Sequence, residues 1–156
     1  MKTINTWLDE YGESHKNPTN KLVHWICVPV IFWSVTALLW SIKLPVELKP
    51  GLNLNVAMIV SALIFGYYVT LSFTLSLGLL LFTSACLFIS YTIETNFSVI
   101  PLWAVALIAF TVAWIGQFWG HSVEGKKPSF LKDLQFLMIG PAWLMSFIYQ
   151  KLGIKY

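Results

Sequence analysis

Hydrophobic positions fall along this chain in long blocks. Residues 25–42, 50–93 and 95–123 contain no Asp, Glu, Lys or Arg. Each block is long enough for a helix to cross a hydrocarbon core of about 30 Å. The first block follows "HKNPTNKLVHW", where Asn17 suits a helix N-cap and Pro18 the first helical position. The pattern predicts a span near 22–42, with Pro29 as a kink tolerated within the bilayer. The stretch "KLPVELKPGLN" breaks that span and reads as a loop. Residues 54–93 are too long for one crossing, because forty residues of helix run ~60 Å. They are expected to form two spans, near 54–71 and 75–93, turning within the polar cluster Thr70, Ser72, Thr74 and Ser76. A fourth span is expected near 101–120, opening at Pro101. The last apolar segment, 134–150, is short and carries Gly140 and Pro141 at its middle. That suits a broken, re-entrant or interfacial helix better than a fifth span, with Ser129 as a candidate cap ahead of it.

The expected fold class is therefore all-α. It is a single integral membrane domain over 1–156, a polytopic helical bundle of four transmembrane helices plus the C-terminal element. Composition agrees: 57% of residues are hydrophobic and 11% charged, less than half the charged share usual in soluble domains. The net charge of +3 is no argument for nucleic acid, since every basic residue is Lys and none is Arg. Bidentate phosphate or base readout is not expected of such a chain. Cys27 and Cys86 lie inside apolar segments and read as small packing residues. Asp9, Glu10 and Glu13 precede the first apolar block, which does not resemble a cleavable signal peptide.

Lysines are distributed unevenly. With four spans, Lys2, Lys16, Lys21, Lys126, Lys127 and Lys132 share one side, and only Lys43 and Lys49 lie in loops on the other. The positive-inside bias places the first group, and the N-terminus, in the cytoplasm. Trp25 and Trp119 then mark one interface, Trp40 and Trp103 the other. The compact chain favours a bacterial plasma membrane, with the endoplasmic reticulum as the alternative. An even number of spans also brings His15, His24 and His121, the only histidines, to the same face.

That placement directs attention to "IGQFWGHSVEGKKPSF". On a continuing helix Gln117, His121 and Glu124 lie at i, i+4 and i+7, on one face. Asn20 and His24 are likewise i and i+4 on the first helix, and His15 lies just before its cap. Three imidazoles, a carboxylate and two amides can converge there. Two His with a carboxylate suit non-haem Fe(II), and three His with an open position suit catalytic zinc. Asn20 and Gln117 are candidates to orient the ligands. The competing reading is that the histidines contact lipid head groups and Glu124 is a solvated loop residue. Polar groups at a membrane are costly and usually functional, which keeps the metal reading open.

Two motifs carry a resemblance. "YGESHKNPTNKLVHWICVP" contains Tyr11, His15, Asn20, His24 and Pro29 in a Tyr-x3-His-x4-Asn-x3-His-x4-Pro pattern. "GQFWGHSVEGKKPSF" supplies Gln117, Phe118, Gly120, His121, Glu124 and Pro128. Together with the closing "FLKDLQFLMIGPAWL" they resemble the small membrane family of Fe(II)-dependent 2-hydroxy fatty acid dioxygenases, across nearly the whole chain. The resemblance implies α-oxidation: a 2-hydroxy fatty acid and O₂ give a fatty acid one carbon shorter, the acyl tail staying in the lipid bilayer. It implies Fe(II) on His15, His24 and His121, with Glu124 as a fourth candidate ligand. Asn20, Gln117 and Tyr11 then orient ligands or substrate, and Lys126 and Lys127 attract the carboxylate. In many members of the family the glutamate follows the histidine by four residues; here it follows by three. A bis-His haem protein using His24 and His121, and a non-catalytic packing or scaffold protein, are the alternatives. Nothing in the sequence sets the oligomeric state.

Overall fold

The computed structural model describes residues 2–97, 99–125 and 136–156. A short helix, α1 (Ile4–Gly12), precedes a long one, α2 (Pro18–Trp40). A strand pair follows, β1 (Lys43–Lys49) and β2 (Leu52–Asn55), then α3 (Val56–Leu71), α4 (Phe73–Asn96), α5 (Leu102–Glu124) and α6 (Ile139–Lys151).

The first long helix starts where the sequence says. The Asn17 side chain accepts from Thr19 N at 2.8 Å, Pro18 opens the helix, and the chain stays helical through Pro29. The 54–93 stretch also divides as expected, at Ser72, whose hydroxyl caps α4 by accepting from Leu75 N at 3.2 Å. The count of four spans is not confirmed. Among the described residues α2, α4 and α5 are long and apolar enough to cross a membrane. Helix α3 has 16 residues, a rise of ~24 Å, because Asn55 caps its start and Ser72 ends it. The fourth expected span also runs further, through Glu124, and is closed by Gly125 at φ 74° instead of breaking at Gly120.

Three further expectations change. The loop 43–53 is in part an antiparallel strand pair joined at Pro50 and Gly51, where Gly51 takes φ 79°; proline followed by a positive-φ glycine is the signature of a type II turn. The C-terminal segment is not broken at Gly140–Pro141. α6 begins at Ile139, so Pro141 lies in the first turn, where its missing N–H costs nothing. Its 13 residues rise ~20 Å, too little to cross. Trp40 is not an interfacial belt residue: it is buried, and its Nε1 donates to Glu94 at 2.7 Å, beside Lys43 on the same carboxylate. Lys126, Lys127, Pro128, Ser129 and Lys132 lie outside the described residues.

Helices α2 and α5 form the main axis of the molecule and run antiparallel. Gly116 and Gly120, one turn apart on α5, face α2, and such small residues let two helix backbones approach closely in an apolar setting. A Cβ on Gly116 would stand 2.8 Å from Cys27 Sγ, and one on Gly120 2.6 Å from Asn20 Oδ1. Cys27 and Cys86 are both free and buried, as packing residues should be. At one end of this axis α1 lays Ile4, Leu8 and Tyr11 against the start of α6, in a cluster with Trp143 and Leu144. Gly120→Ala is expected to cost about 1–3 kcal/mol through overpacking, lowering Tm by roughly 3–10 °C in a thermal melt of the purified protein.

Candidate metal centre

The three histidines come from three separate stretches of chain. His15 lies between α1 and α2, His24 in the second turn of α2, and His121 in the last turn of α5. Antiparallel packing of α2 on α5 brings the start of one beside the end of the other. All three are buried, at 3%, 1% and 3% exposure, and imidazoles are rarely dehydrated without a reason. Ring centroids are separated by 4.1 Å (His15–His24), 5.0 Å (His24–His121) and 5.4 Å (His15–His121). One nitrogen from each lies within 4.8 Å of the others.

Two of the rings are held in a fixed orientation by their own helical turns. His15 Nδ1 lies 2.5 Å from Tyr11 O, and His24 Nδ1 lies 2.9 Å from Asn20 O. A carbonyl only accepts, so Nδ1 carries the proton in each ring and Nε2 carries the lone pair. This is the carbonyl-oriented arrangement found behind metal-ligating histidines. A first-row ion bonded at ~2.1 Å spans at most about twice that between ligand atoms, so the cluster has to close on it by at least about half an ångström. The donor set fits such an ion, with His15, His24 and His121 as the residues to hold it.

The remaining expected residues surround the three rings. Tyr11 stacks on His15 at 4.3 Å with the planes 9° apart. Gln117 is in hydrogen-bonding contact with His24. Asn20 is completely buried and donates from Nδ2 to Ser14 O and to Glu124 Oε2, each at 3.1 Å. Glu124 takes a different place from the one expected of a ligand. Its Oε1 accepts from Lys16 N at 3.0 Å, and its Oε2 accepts from Asn17 N at 2.9 Å as well as from Asn20. The cluster of possible ligands contains the three histidines without it. The carboxylate sits at the N-terminus of α2, where backbone N–H groups favour an anion, and it fastens the end of α5 to the segment carrying His15.

Sequence reasoning missed Trp143, whose ring lies 5.2 Å from Tyr11 and 5.3 Å from His15. It stands in an apolar segment and carries no signal separating it from belt tryptophans. It also missed a polar cleft of about 650 Å³ between α1, the start of α2 and α6, which reaches His15 and is lined by Lys16 and Lys21. On the other side of the centre a void of about 20 Å³ lies among Tyr11, Val28, Ile31, Trp114, Gln117 and Leu137, room for about one water-sized molecule.

Long apolar helices around a dehydrated three-imidazole centre define a class: membrane-associated proteins with a candidate metal site at one end of the bundle. Within it, residues 1–152 match the family described as 2-hydroxy-palmitic acid dioxygenase Mpo1-like, and the chain belongs to that family. The curated 2-hydroxy-palmitic acid dioxygenase MPO1 of Saccharomyces cerevisiae is 30% identical over 152 residues, covering 96% of this chain and 82% of the yeast protein. No solved structure matches the chain. The family expected from the two motifs is thus the one found. The relative is a yeast protein, so the preference for a bacterial plasma membrane gains no support, and membrane association rests on the apolar helices.

Proposed function

We propose that this protein is a membrane-embedded, non-haem Fe(II) dioxygenase that shortens 2-hydroxy fatty acids by one carbon. The observation that carries the reading is the convergence of His15, His24 and His121, two of them with Nδ1 tied to backbone carbonyls. The family description supplies the substrate class. The stoichiometry needs no outside reductant when the carboxyl carbon leaves as CO₂: R–CHOH–COOH + O₂ gives R–COOH + CO₂ + H₂O. C2 gives up three electrons and C1 one, matching the four that O₂ accepts.

Fe(II), held by His15, His24 and His121, would supply the activation of O₂ beside the 2-hydroxy-carboxylate head. The chain's own residues do the rest. Tyr11 O and Asn20 O hold the His15 and His24 rings so that Nε2 faces inward. Glu124 and Asn20 fix the segment bearing His15 against α5. Lys16 and Lys21 share the polar cleft with Asp9 and Glu13, and there they pair with the substrate carboxylate. Tyr11 and Gln117 line the small void beside the histidines, where they orient substrate or O₂, and its apolar walls exclude bulk water.

The geometry disfavours the haem alternative. His15 lies closer to His24 than His121 does (4.1 against 5.0 Å between centroids), so a macrocycle between His24 and His121 would have to displace it. Detergent-purified protein incubated aerobically with Fe(II), a reductant and 2-hydroxypalmitate is expected to yield the fifteen-carbon acid. Its absence from the extracted products would overturn the assignment for that substrate.

A further inference from the structure

A second cavity lies further along α2. It measures about 240 Å³ and lies between Phe32, Val35, Thr36 and Leu39 of α2 and Ala57 and Ser61 of α3, with Leu137 at its near end. Leu137 also walls the small void beside Tyr11 and Gln117, so that side chain is a wall common to both spaces. On α2 the lining continues a single stripe: His24, Val28, Ile31, Val35 and Leu39 follow at steps of three and four residues, which is one helix face. The small void and the larger cavity thus lie in succession along this face of α2, with Leu137 as their common wall.

The lane has a definite end. Beyond Leu39 and Ala57 lies a packed cluster of Ala37, Trp40, Ala57, Leu102 and Ala106, with Trp40 fixed by its bond to Glu94. From His24 to Leu39 is ~22 Å along the helix. An extended chain advances ~1.2 Å per bond, so the fourteen bonds from C2 to the end of a sixteen-carbon acid cover ~17 Å. Allowing for the separation between His24 and C2, the terminal methyl arrives beside Thr36, Leu39 and Ala57.

We propose that this cavity is the acyl-chain pocket of the protein. A saturated chain of about sixteen carbons reaches it from the histidine centre by widening the small void and displacing the Leu137 side chain, and the floor at Leu39 and Ala57 sets its length. The proposal rests on the 2-hydroxy fatty acid reading above. Its test separates the two.

The probe is 2-hydroxypalmitate bearing a diazirine at its last carbon, photolysed with the full-length wild-type protein in nanodiscs and mapped by mass spectrometry. Adducts are expected on Thr36, Leu39 and the Ala57 to Ser61 segment, and unlabelled 2-hydroxypalmitate should compete them away. Adducts confined to outward-facing residues such as Leu63, Phe88 or Ile108, or no adducts at all, would overturn the pocket. So would cavity adducts displaced only by excess phospholipid, which would make it a site for a bilayer lipid. Ser61→Phe, which fills the middle of the cavity, is expected to lower the ratio of kcat/KM for 2-hydroxypalmitate over 2-hydroxyoctanoate at least about tenfold. An unchanged ratio in a folded variant would count against the proposal. Cavity labelling in a wild-type protein that turns over neither acid would overturn the dioxygenase reading and leave the pocket standing.

Discussion

His24→Ala is expected to abolish turnover of 2-hydroxypalmitate and iron binding together while leaving the protein folded. The ring is 1% exposed, is held by Asn20 O at 2.9 Å, and lies within 5.0 Å of both other imidazoles, centroid to centroid. Removing it leaves two ligands. Glu124 is already engaged, since its two oxygens accept from Lys16, Asn17 and Asn20. Loss of a residue that only orients a ligand typically costs 10–100-fold in affinity or activity, so loss of the ligand itself is expected to exceed about 100-fold. A monodisperse elution profile and a near-native melt establish folding, and His24→Gln controls for volume. Retention of activity in that folded variant is what a packing or scaffold role for the histidines would produce.

Glu124→Ala is expected to give the next largest loss, by a different route. The carboxylate gathers two backbone N–H groups and the Asn20 amide at the junction of α2 and α5. Without it the segment presenting His15 loses its fastening to α5, and the three nitrogens no longer converge. Iron affinity should fall about 10–100-fold, measured by competition with a chromogenic chelator, and kcat should recover at saturating Fe(II). Glu124→Gln keeps one accepting oxygen and should fall between the alanine variant and the wild type. If Glu124 were instead a ligand, saturating iron would not restore kcat in either variant.

The parts of the structure that were legible in the sequence are those dictated by local chemistry. Asn17 and Pro18 mark the start of α2, and the sheer length of 54–93 requires the break found at Ser72. The histidines were legible as a group because an even number of apolar helices between them returns the chain to the same end, where His15, His24 and His121 meet. Length alone could not show that α3 stops at 16 residues, since Asn55 and Ser72 are ordinary polar residues until their caps form. Helix α1 was overlooked because its stripe of Ile4, Leu8 and Tyr11 is short and amphipathic, and a search for membrane-length runs passes over it. The strand pair is almost wholly exposed on β1, so only the Pro50–Gly51 turn announces it. The Gly116–Gly120 pair was readable in "GQFWG" and explains how α2 and α5 approach closely enough to build the centre. Glu124 shows the limit of spacing arguments. Helical periodicity places it on the face of Gln117 and His121, but which neighbour its carboxylate meets depends on where α2 begins across the interface. The same holds for Trp40, whose partner Glu94 lies 54 residues away in sequence.

The most direct measurement is iron stoichiometry after anaerobic reconstitution with Fe(II). It compares the wild type with His15→Ala, His24→Ala and His121→Ala, each checked for folding. The account predicts about one tightly held iron per wild-type chain, bound by imidazole, and its loss in all three variants. A wild-type protein that retains no metal, or folded variants that keep their full iron content, would contradict it.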